Sequence, residues 1–341
     1  MKQQYLVTGG AGFIGSNYVH RLVSRGERVT VFDNFSRGGA KRNLEWLHDT
    51  FGKDAFSVVV GDVRDSSLIT EAARDADVIV HLAGQVAVTT SVNDPRDDFE
   101  SNALGTFNTL EAARLSGRNP IFLYSSTNKV YGGMEEVELF EEPTRWRYKD
   151  MIHGCPESQP LDFHSPYGCS KGAGDQYVRD YARIYGVPSV VLRQSCIYGP
   201  RQFGIEDQGW VAWFIIASIT GRPMTVFGDG KQVRDILNVE DLMNAYDAAV
   251  EKIDIASGNV YNIGGGPENV MSVWYEFGPI LEKLLGRTLD VARGDWRPGD
   301  QRVFYADIRK AERELGWSPK IGVEEGIRRL HNWVQENREL F

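Results

Sequence analysis

The chain has 341 residues, of which 42% are hydrophobic and 25% charged, and this composition excludes a disordered, collagen-like or coiled-coil protein. Its 38 Lys and Arg residues and 47 Asp and Glu residues give a net charge of −9, which argues against binding to nucleic acid or to an anionic membrane because phosphate contacts require a basic face. Three cysteines without a Cys-x-x-Cys pair, and apolar stretches shorter than the roughly 20 residues of a membrane helix, predict a cytoplasmic protein without a disulfide framework or a metal site.

Strand-like and helix-like segments alternate along the first half of the chain. The segments rich in β-branched and aromatic residues, which predict strands, are residues 5–8, 29–33, 56–60, 78–82, 121–125 and 189–193. Segments with a helical spacing of apolar residues lie between most of them, for example residues 13–25, 99–115 and 167–185. Because a parallel crossover needs about a dozen residues, and because the strands are apolar on both faces, this alternation predicts a parallel sheet with helices on both sides.

A glycine-rich loop follows the first predicted strand and opens the first predicted helix. Gly9, Gly12 and Gly15 are spaced so that the first permits a tight turn, the second lets the backbone approach a pyrophosphate, and the third allows close packing of helix and strand. The second predicted strand ends in Asp33, whose carboxylate would bind the ribose hydroxyls of a dinucleotide and repel a 2′-phosphate. This combination predicts a Rossmann-type, doubly wound α/β fold that binds NAD in preference to NADP.

A tyrosine–lysine pair begins the helical segment at residues 167–185. Tyr167 and Lys171 are four residues apart and therefore lie on one face of a helix, and Ser125-Ser126-Thr127 ends the fifth predicted strand, where parallel sheets bind ligands. A tyrosine titrates at about 10, and an ammonium about 4 Å away supplies about 4 kcal/mol, enough to ionise the phenol near neutral pH. The pair therefore predicts alcohol oxidation, in which a phenolate accepts the hydroxyl proton while the carbon donates hydride to nicotinamide.

The regular alternation of strands and helices ends after Cys196. The predicted elements that follow are a loop at residues 198–209, an apolar helix, a loop at residues 227–231, a helix that begins near Val239, a strand at residues 260–263, and helices within residues 270–285 and 307–341. We predict two domains: residues 1–195 and 233–265 form the first, which binds the dinucleotide. Residues 196–232 and 266–341 form the second, which is smaller and partly interleaved with the first.

These motifs together resemble those of extended short-chain dehydrogenases in the group of nucleotide-sugar epimerases and dehydratases. The resemblance spans the chain and is carried by residues 8–15, Asp33, Gly61-Asp62-Val63, His81-Leu82-Ala83-Gly84, Thr127, Tyr167, Lys171 and Tyr198-Gly199-Pro200. It implies that NAD is held tightly and recycled, and that Thr127 hydrogen-bonds the reacting hydroxyl. With the motifs above, it predicts that NAD is bound by Gly9, Gly12, Phe13, Ile14, Gly15, Asp33, Asn34, Asp62, Val63, Leu82, Ala83, Gln85, Tyr167 and Lys171.

The resemblance also implies that the second domain binds the diphosphate of a nucleotide sugar. Arg234 lies in a Gln-Val-Arg-Asp motif, and Arg297 and Asp300 lie in an Arg-Pro-Gly-Asp motif, both of which match diphosphate contacts of the group. A guanidinium fork suits phosphate oxygens. The residues predicted to bind the substrate are Gln85, Thr90, Thr127, Lys129, His164, Cys196, Arg201, Arg234, Arg297 and Asp300. Cys196 stands where the wider group usually carries asparagine.

The residues after Thr127 distinguish members of this group. A 4,6-dehydratase of the family carries Asp-Glu there as acid and base, whereas this chain carries Asn128-Lys129, which disfavours a dehydratase. A closer resemblance, to the 2-epimerases that convert CDP-paratose to CDP-tyvelose, is carried by residues 83–91, 124–132, 161–171 and 207–210. We therefore predict an isomerase that inverts C2 of a CDP-hexose. The alternatives are a UDP-sugar 4-epimerase and a non-catalytic NAD-binding protein.

The structure of such a sugar determines which carbon must be oxidised. Paratose has no 3-hydroxyl, and a ketone at C4 would acidify only C3 and C5, so inversion of C2 requires oxidation at C2 itself. The predicted reaction is oxidation to a 2-keto sugar with Tyr167 as the base, rotation of the sugar in the pocket, and reduction on the other face. The resemblance further implies a homodimer or homotetramer assembled through the helices at residues 99–115 and 167–185.

Overall fold

Seven parallel strands form the main sheet of the structure, a computed structural model that describes residues 2–297 and 299–341 of the chain. In chain order the strands are β1 (Gln4–Thr8), β2 (Arg28–Asp33), β3 (Ser57–Val60), β4 (Val78–His81), β5 (Ile121–Thr127), β6 (Leu139–Glu141), β7 (Trp146–Tyr148), β8 (Ser189–Gln194), β9 (Cys196–Tyr198), β10 (Thr225–Phe227), β11 (Val233–Asn238), β12 (Val260–Ile263), β13 (Val270–Ser272), β14 (Ala292–Gly294) and β15 (Val303–Phe304). The strand order of the main sheet is β12-β8-β5-β4-β1-β2-β3.

Helices connect these strands and cover both faces of the main sheet. They are α1 (Phe13–Ser24), α2 (Ala40–Phe51), α3 (Ser66–Ala73), α4 (Val88–Asn93), α5 (Pro95–Phe99), α6 (Gly105–Leu115), α7 (Ser165–Tyr185), α8 (Trp210–Thr220), α9 (Val239–Glu251), α10 (Ile253–Ala256), α11 (Phe277–Leu285), α12 (Arg309–Leu315) and α13 (Val323–Glu336). A π-helix (Glu100–Leu104) joins α5 to α6, and short 3-10 helices cover Asn128–Tyr131, Pro267–Asn269 and Arg338–Leu340. Among the described residues, none of these helices is both long enough and apolar enough to cross a membrane.

Successive residues of each central strand face opposite helical layers. On β1, Tyr5 and Val7 belong to the apolar cluster that includes α1 and α9, whereas Leu6 belongs to the cluster that includes α3, α6 and α7. Burial of both faces explains why these strands are almost continuously apolar. The prediction of a doubly wound α/β fold with a parallel sheet is confirmed.

A second, smaller layer is built on β11. This strand pairs in parallel with β9 and β15 and antiparallel with β13, and it forms a four-stranded sheet with them. Two further pairs, β6 with β7 and β10 with β14, flank it. A third apolar cluster packs α8, α11 and α13 beside this region.

The structure differs from the sequence prediction in both halves of the chain, since β6 and β7 were not predicted in the first half and further differences lie in the second. The prediction of helix across residues 270–285 is wrong at its start, because Val270–Ser272 forms β13 before α11 begins at Phe277. The strands of two or three residues, such as β9 and β15, are too short to show any periodicity. The division into domains stays a prediction: within residues 233–265, β11 pairs with the smaller sheet and β12 with the main sheet.

A buried carboxylate links the smaller sheet to the loop that follows β12. The Asp235 side chain on β11 is fully buried, and its Oδ2 atom accepts hydrogen bonds from the backbone N–H groups of Gly266 and Ala306, each at 3.2 Å. A Cβ atom at Gly264 would collide with that oxygen, so glycine permits the approach. Burial raises the pKa of Asp235 to about 6, although these hydrogen bonds oppose the rise.

We expect Asp235 to make the free energy of unfolding depend on pH. Because folding raises the pKa of this carboxyl, its contribution to stability is present at low pH and falls by up to about 3 kcal/mol as the pH rises from about 4 to above 6. Asp235→Asn should lose this dependence. Urea unfolding at about pH 4.5 and about pH 7 should therefore show the wild type losing stability relative to the variant.

The matched control for this measurement is Asp254→Asn, which changes an exposed carboxylate on α10. Its stability should follow that of the wild type at both pH values. A stability difference between Asp235→Asn and the wild type that is the same at both pH values would contradict the prediction.

Candidate active site

The predicted phosphate loop forms a cradle between β1 and α1. Gly9 has a φ of +67°, and its N–H donates to the Phe32 carbonyl oxygen at 2.8 Å. A Cβ atom at Gly15 would collide with the Gly9 carbonyl oxygen, and a Cβ atom at Gly9 would lie 2.8 Å from the Ala83 backbone nitrogen. No described side chain caps α1, and its first turn, which begins at Phe13, holds no acidic residue. The free backbone N–H groups of this turn and the small glycines therefore fit the pyrophosphate of the predicted dinucleotide.

The residues predicted to contact adenosine lie together at the ends of β2 and β3. Asp33 accepts a hydrogen bond from the Ala11 N–H at 3.0 Å, which ties the carboxylate to the glycine loop. Burial raises the pKa of Asp33, and backbone hydrogen bonds oppose the rise. Asn34 donates to Asp62 at 2.9 Å, and hydrogen bonds from Arg64 lower the pKa of Asp62 to about 2. An acceptor for ribose hydroxyls thus lies beside the cradle.

A cavity of about 380 Å³ opens next to this cradle, at the carboxyl ends of the central strands. The predicted site residues that line it are Phe13, Ile14, Leu82, Gln85, Thr127, Lys129, Tyr167, Lys171, Cys196, Arg234, Arg297 and Asp300. Of the other NAD-binding candidates, Val63 is buried against Gly105, and the Ala83 N–H donates to the Thr8 hydroxyl at 3.3 Å. The structure therefore brings residues from both halves of the chain to one cavity.

Thr127, Tyr167 and Lys171 meet at the wall that the main sheet provides. Thr127 is the last residue of β5, Tyr167 and Lys171 lie in the first turns of α7, and all three are buried. The Lys171 ammonium donates to the Ser125 carbonyl oxygen at 2.5 Å and lies 4.4 Å from the centre of the Tyr124 ring. The sequence predicts an ammonium directly beside the phenol. In the structure this ammonium instead donates to the carboxyl end of β5, and the side chains that shift the pKa of Tyr167 are Thr127 and Asp98.

Burial dominates the ionisation of both groups. It raises the pKa of Tyr167 to about 12, while the Thr127 hydroxyl lowers this pKa and Asp98 raises it further. Burial lowers the pKa of Lys171 to about 8, and the carboxylates of Asp98 and Asp175 oppose the fall. At neutral pH the chain alone therefore holds a neutral phenol and a mostly protonated lysine. Formation of the phenolate requires additional positive charge.

Basic side chains paired with an aspartate form another wall of the cavity. Arg234 on β11 lies 2.6 Å from Asp300 and also donates to the Gln301 carbonyl oxygen at 2.6 Å. The Lys129 ammonium lies 3.7 Å from the same carboxylate. Burial alone would raise the pKa of Asp300, but Arg234 and Lys129 lower it by more. Asp300 thus holds two cations in the orientation in which they line the cavity.

Arg297 connects the cavity to the loop between β9 and α8. Its guanidinium lies 3.1 Å from the Asp207 carboxylate and donates to the Glu206 carbonyl oxygen at 3.1 Å. It also lies 4.0 Å from the centre of the Phe227 ring. A diphosphate in the cavity would therefore compete with Asp207 for this guanidinium.

Two predicted substrate-binding residues lie near the cavity but do not line it. Thr90 is exposed on α4, whereas its neighbour Thr89 lines the cavity. His164 immediately precedes α7 and lies beside Gly299, in the loop that carries Asp300. Their predicted contacts with the sugar stay predictions.

Arg201 lies outside the cavity, in a stack of aromatic rings. Its guanidinium lies 4.3 Å from the centre of the Trp46 ring and 5.6 Å from that of Trp333, and the His20 ring stacks on Trp46 with ring centres 4.9 Å apart. Arg201 also has a φ of +68°, which is uncommon for a residue with a side chain. Arg201 therefore packs the loop that leads to Asp207 against α2 and α13. The structure does not bring Arg201 to the predicted diphosphate contacts.

Several residues that line the cavity were not predicted as site residues from the sequence. Buried polar atoms on five lining residues have no partner among the described residues, and these are Thr89 Oγ1, Gln202 Oε1, Trp210 Nε1, Trp213 Nε1 and Gln232 Oε1. Unpaired buried polar atoms are rare, so they indicate a wall shaped for a polar ligand. The apolar helix α8 contributes Trp213, and no local pattern shows that its indole faces a ligand.

Comparison with known proteins assigns the chain to a family. A family model described as GDP-mannose 4,6 dehydratase matches residues 6–330. The CDP-paratose 2-epimerase of Salmonella typhi is 45% identical over 336 residues, which cover 96% of this chain and 98% of that protein. The dTDP-glucose 4,6-dehydratase of Streptomyces antibioticus is 33% identical over an alignment of 349 positions, which covers 98% of this chain and 92% of that protein.

Solved structures share the whole architecture. The UDP-glucose 4-epimerase of Thermotoga maritima, solved with UDP-glucose, has a TM-score of 0.84 at 31% identity and covers 98% of this chain and 99% of its own. The dTDP-glucose 4,6-dehydratase of Streptomyces venezuelae, solved with NAD bound, has a TM-score of 0.84 at 29% identity and covers 99% of this chain and 98% of its own.

The glycine cradle yields a test of dinucleotide binding. Gly15→Ala places a methyl group against the Gly9 carbonyl oxygen, so we expect the affinity for NAD to fall at least about tenfold, or about 1.4 kcal/mol. Gly38→Ala is the control, because a Cβ atom there meets no atom within 4 Å. Titration of each cofactor-stripped variant with NAD, followed by calorimetry, measures the difference. Wild-type affinity in Gly15→Ala would show that the dinucleotide does not occupy this cradle.

Proposed function

The chain belongs to the GDP-mannose 4,6 dehydratase family, and we propose that it is an NAD-dependent epimerase that inverts C2 of a CDP-hexose. The observation that carries this proposal is the 45% identity with a CDP-paratose 2-epimerase across nearly the full length of both chains. The UDP-glucose 4-epimerase and the dTDP-glucose 4,6-dehydratases compared above are 29–33% identical. The site must then hold NAD, activate one hydroxyl and bind a diphosphate.

The cradle and the adjoining carboxylate suit NAD. The backbone N–H groups at Phe13 and Ile14 would hold the pyrophosphate, and Asp33 would accept hydrogen bonds from the adenosine ribose. When bound, NAD supplies a hydride acceptor for the sugar carbon and a positively charged ring that lowers the pKa of nearby phenols. Relatives solved with NAD on the same fold support this assignment.

The side chains at the end of β5 and the start of α7 would move the proton. Tyr167 would accept the proton of the C2 hydroxyl, which the Thr127 hydroxyl would orient by a hydrogen bond. The Lys171 ammonium would favour the phenolate through space, and Thr127 already lowers the pKa of this phenol. Transfer of the proton to Tyr167 and loss of a hydride would leave a 2-keto sugar. Tyr167 would return the same proton to the C2 oxygen when the other face of the sugar is reduced.

The paired cations would hold the nucleotide end of the substrate while the hexose rotates. Arg234, Arg297 and Lys129 line the cavity and would bind the diphosphate. Val86 and Val88 line it beside Gln85 and offer the sugar apolar surface without directional bonds. Firm binding of the diphosphate together with loose contact at the sugar is the combination that inversion at C2 requires.

The residues after Thr127 argue against elimination of water. Asn128 donates its side-chain amide to Gln301 at 3.3 Å, and Lys129 faces Asp300. Neither can supply the carboxylate pair that the dehydratase reaction uses. The relatedness to dehydratases therefore reflects the shared oxidation step rather than the full reaction.

Exposed apolar side chains on α6 and α7 suit a helical interface. Phe107 on α6 and Tyr177 on α7 are partly exposed, and their ring centres lie 5.9 Å apart. Leu115, Ile184 and Tyr185 extend the same two helices with more than half of each side chain exposed. Such a patch on a chain with a packed core marks an association site, so we propose a homodimer through α6 and α7.

Proton NMR of the purified protein with CDP-paratose tests the proposed reaction. We expect the C2 signals of the gluco-type and manno-type sugars to interconvert, and Tyr167→Phe to lower the rate by at least about a thousandfold while keeping bound NAD. Tyr275→Phe is the matched control, because Tyr275 lies on the surface outside the cavity.

The outcomes separate the candidate functions. Interconversion of UDP-glucose and UDP-galactose without change at C2 of CDP-paratose would favour a 4-epimerase. If no CDP-, UDP-, GDP- or dTDP-hexose were converted and no NADH absorbance appeared, the chain would be a non-catalytic NAD-binding protein. Full activity of Tyr167→Phe would remove the proposed proton transfer.

Disruption of the apolar patch tests the proposed dimer. Ile184→Glu introduces a charge where 66% of the side chain is exposed, so we expect at least a tenfold weaker association by analytical ultracentrifugation. Ile255→Glu makes the same change at an exposed position on α10 and should leave the association unchanged. A wild type that sediments as a monomer would contradict the proposal.

A further inference from the structure

Asp98 is a buried carboxylate close to the proposed catalytic residues that the reaction described above does not use. It lies on α5 and is fully buried. Its Oδ2 atom accepts a hydrogen bond from the Ser170 hydroxyl at 2.5 Å. Its Oδ1 atom accepts from the side-chain amides of Gln85 and Asn102, each at 3.0 Å. All three partners are uncharged, so these contacts leave the negative charge of Asp98 without a cation.

Gln85 is held in one orientation by this carboxylate. Its amide nitrogen donates to Asp98 and to the Ala87 carbonyl oxygen at 2.6 Å, while its amide oxygen accepts from the Ala87 N–H. Both amide hydrogens are therefore used within the protein. Gln85 therefore forms a fixed part of the cavity wall, and its hydrogen bond to Asp98 helps to hold it there.

The charged and titratable groups around Lys171 come from four elements. They are His81 on β4, Tyr124 on β5, Tyr167 and Asp175 on α7, and Asp98 on α5. His81 is neutral, since burial lowers its pKa to about 3. Asp175 is neutralised by Arg193, which reaches both carboxylate oxygens at 2.8 and 2.9 Å. Asp98 is thus the anion in this group whose charge is not already balanced by another cation.

We propose that Asp98 is a positioning residue that serves as the buried counter-charge of Lys171 and keeps it in the ammonium form, while fixing Gln85 in the cavity wall. This proposal rests on the proposed function in one respect only, which is that the Lys171 ammonium favours the phenolate of Tyr167. A buried ammonium without a counter-charge loses its proton readily, because burial disfavours the charged form. Asp98 opposes this effect, and of the two carboxylates that raise the pKa of Lys171 it is the stronger.

Direct titration of Lys171 tests the proposal without any measurement of activity. In protein labelled with ¹³C at the lysine ε-carbons, the Lys171 signal is the one that Lys171→Met removes. Asp98→Asn should lower the Lys171 pKa from about 8 by about one unit, because it removes a buried negative charge that favours the ammonium form. At pH 8 the ammonium fraction should then fall from about one half to about one tenth.

Two further variants make the result interpretable. Glu100→Gln removes a partly exposed carboxylate two residues away, which pairs with the exposed Arg96, and should leave the Lys171 titration unchanged. If Asp98→Asn does not fold, because its amide faces two other amides, Asp98→Ala leaves space in which water can accept their hydrogen bonds, and the same shift is expected. An unchanged Lys171 pKa in the folded variant would overturn the proposal.

The activity assay separates this proposal from the proposed function. If the wild type converts CDP-paratose, the basic limb of its pH profile should move to lower pH in Asp98→Asn, whereas a purely structural defect would lower kcat equally at every pH. If the wild type does not convert this substrate but the Lys171 titration shifts, the proposed function fails and the assignment of Asp98 stands.

Discussion

The arrangement of the site depends on the contacts that hold the buried Lys171 ammonium. Removing a cation from water costs several kcal/mol, so the ammonium must be held by specific partners. It donates to the carbonyl oxygen of Ser125 and lies over the ring of Tyr124, which fastens the start of α7 to the end of β5. Tyr167, one turn earlier on α7, is thereby held beside Thr127. The proposed catalytic residues therefore lie at the edge of the sheet where the parallel strands end.

The parts of the fold and of the site that the sequence reveals are those in which neighbouring residues carry the information. The glycine loop, Asp33 and the Tyr167–Lys171 pair are each defined by spacing within one turn or one strand end, and the structure brings them to one edge of the sheet. The apolar strands of the main sheet were predictable for the same reason, since burial on both faces requires an unbroken apolar run.

The remaining features arise from contacts between distant segments. Arg201 follows Gly-Pro in a loop, and only the folded chain shows that it packs against Trp46 and Trp333. Asp98 occurs in an acidic stretch that is typical of an exposed helix, yet it is enclosed by side chains up to 72 residues away. Short strands such as β9 exist because β11 offers them a partner. No local pattern carries such information.

The cations around the cavity are already paired inside the protein, Arg234 and Lys129 with Asp300 and Arg297 with Asp207. The diphosphate that we propose as a ligand would therefore exchange one set of ion pairs for another instead of neutralising bare charges. Such an exchange would release little of the surrounding electrolyte. The affinity would then depend less on ionic strength than it would in an open cationic pocket.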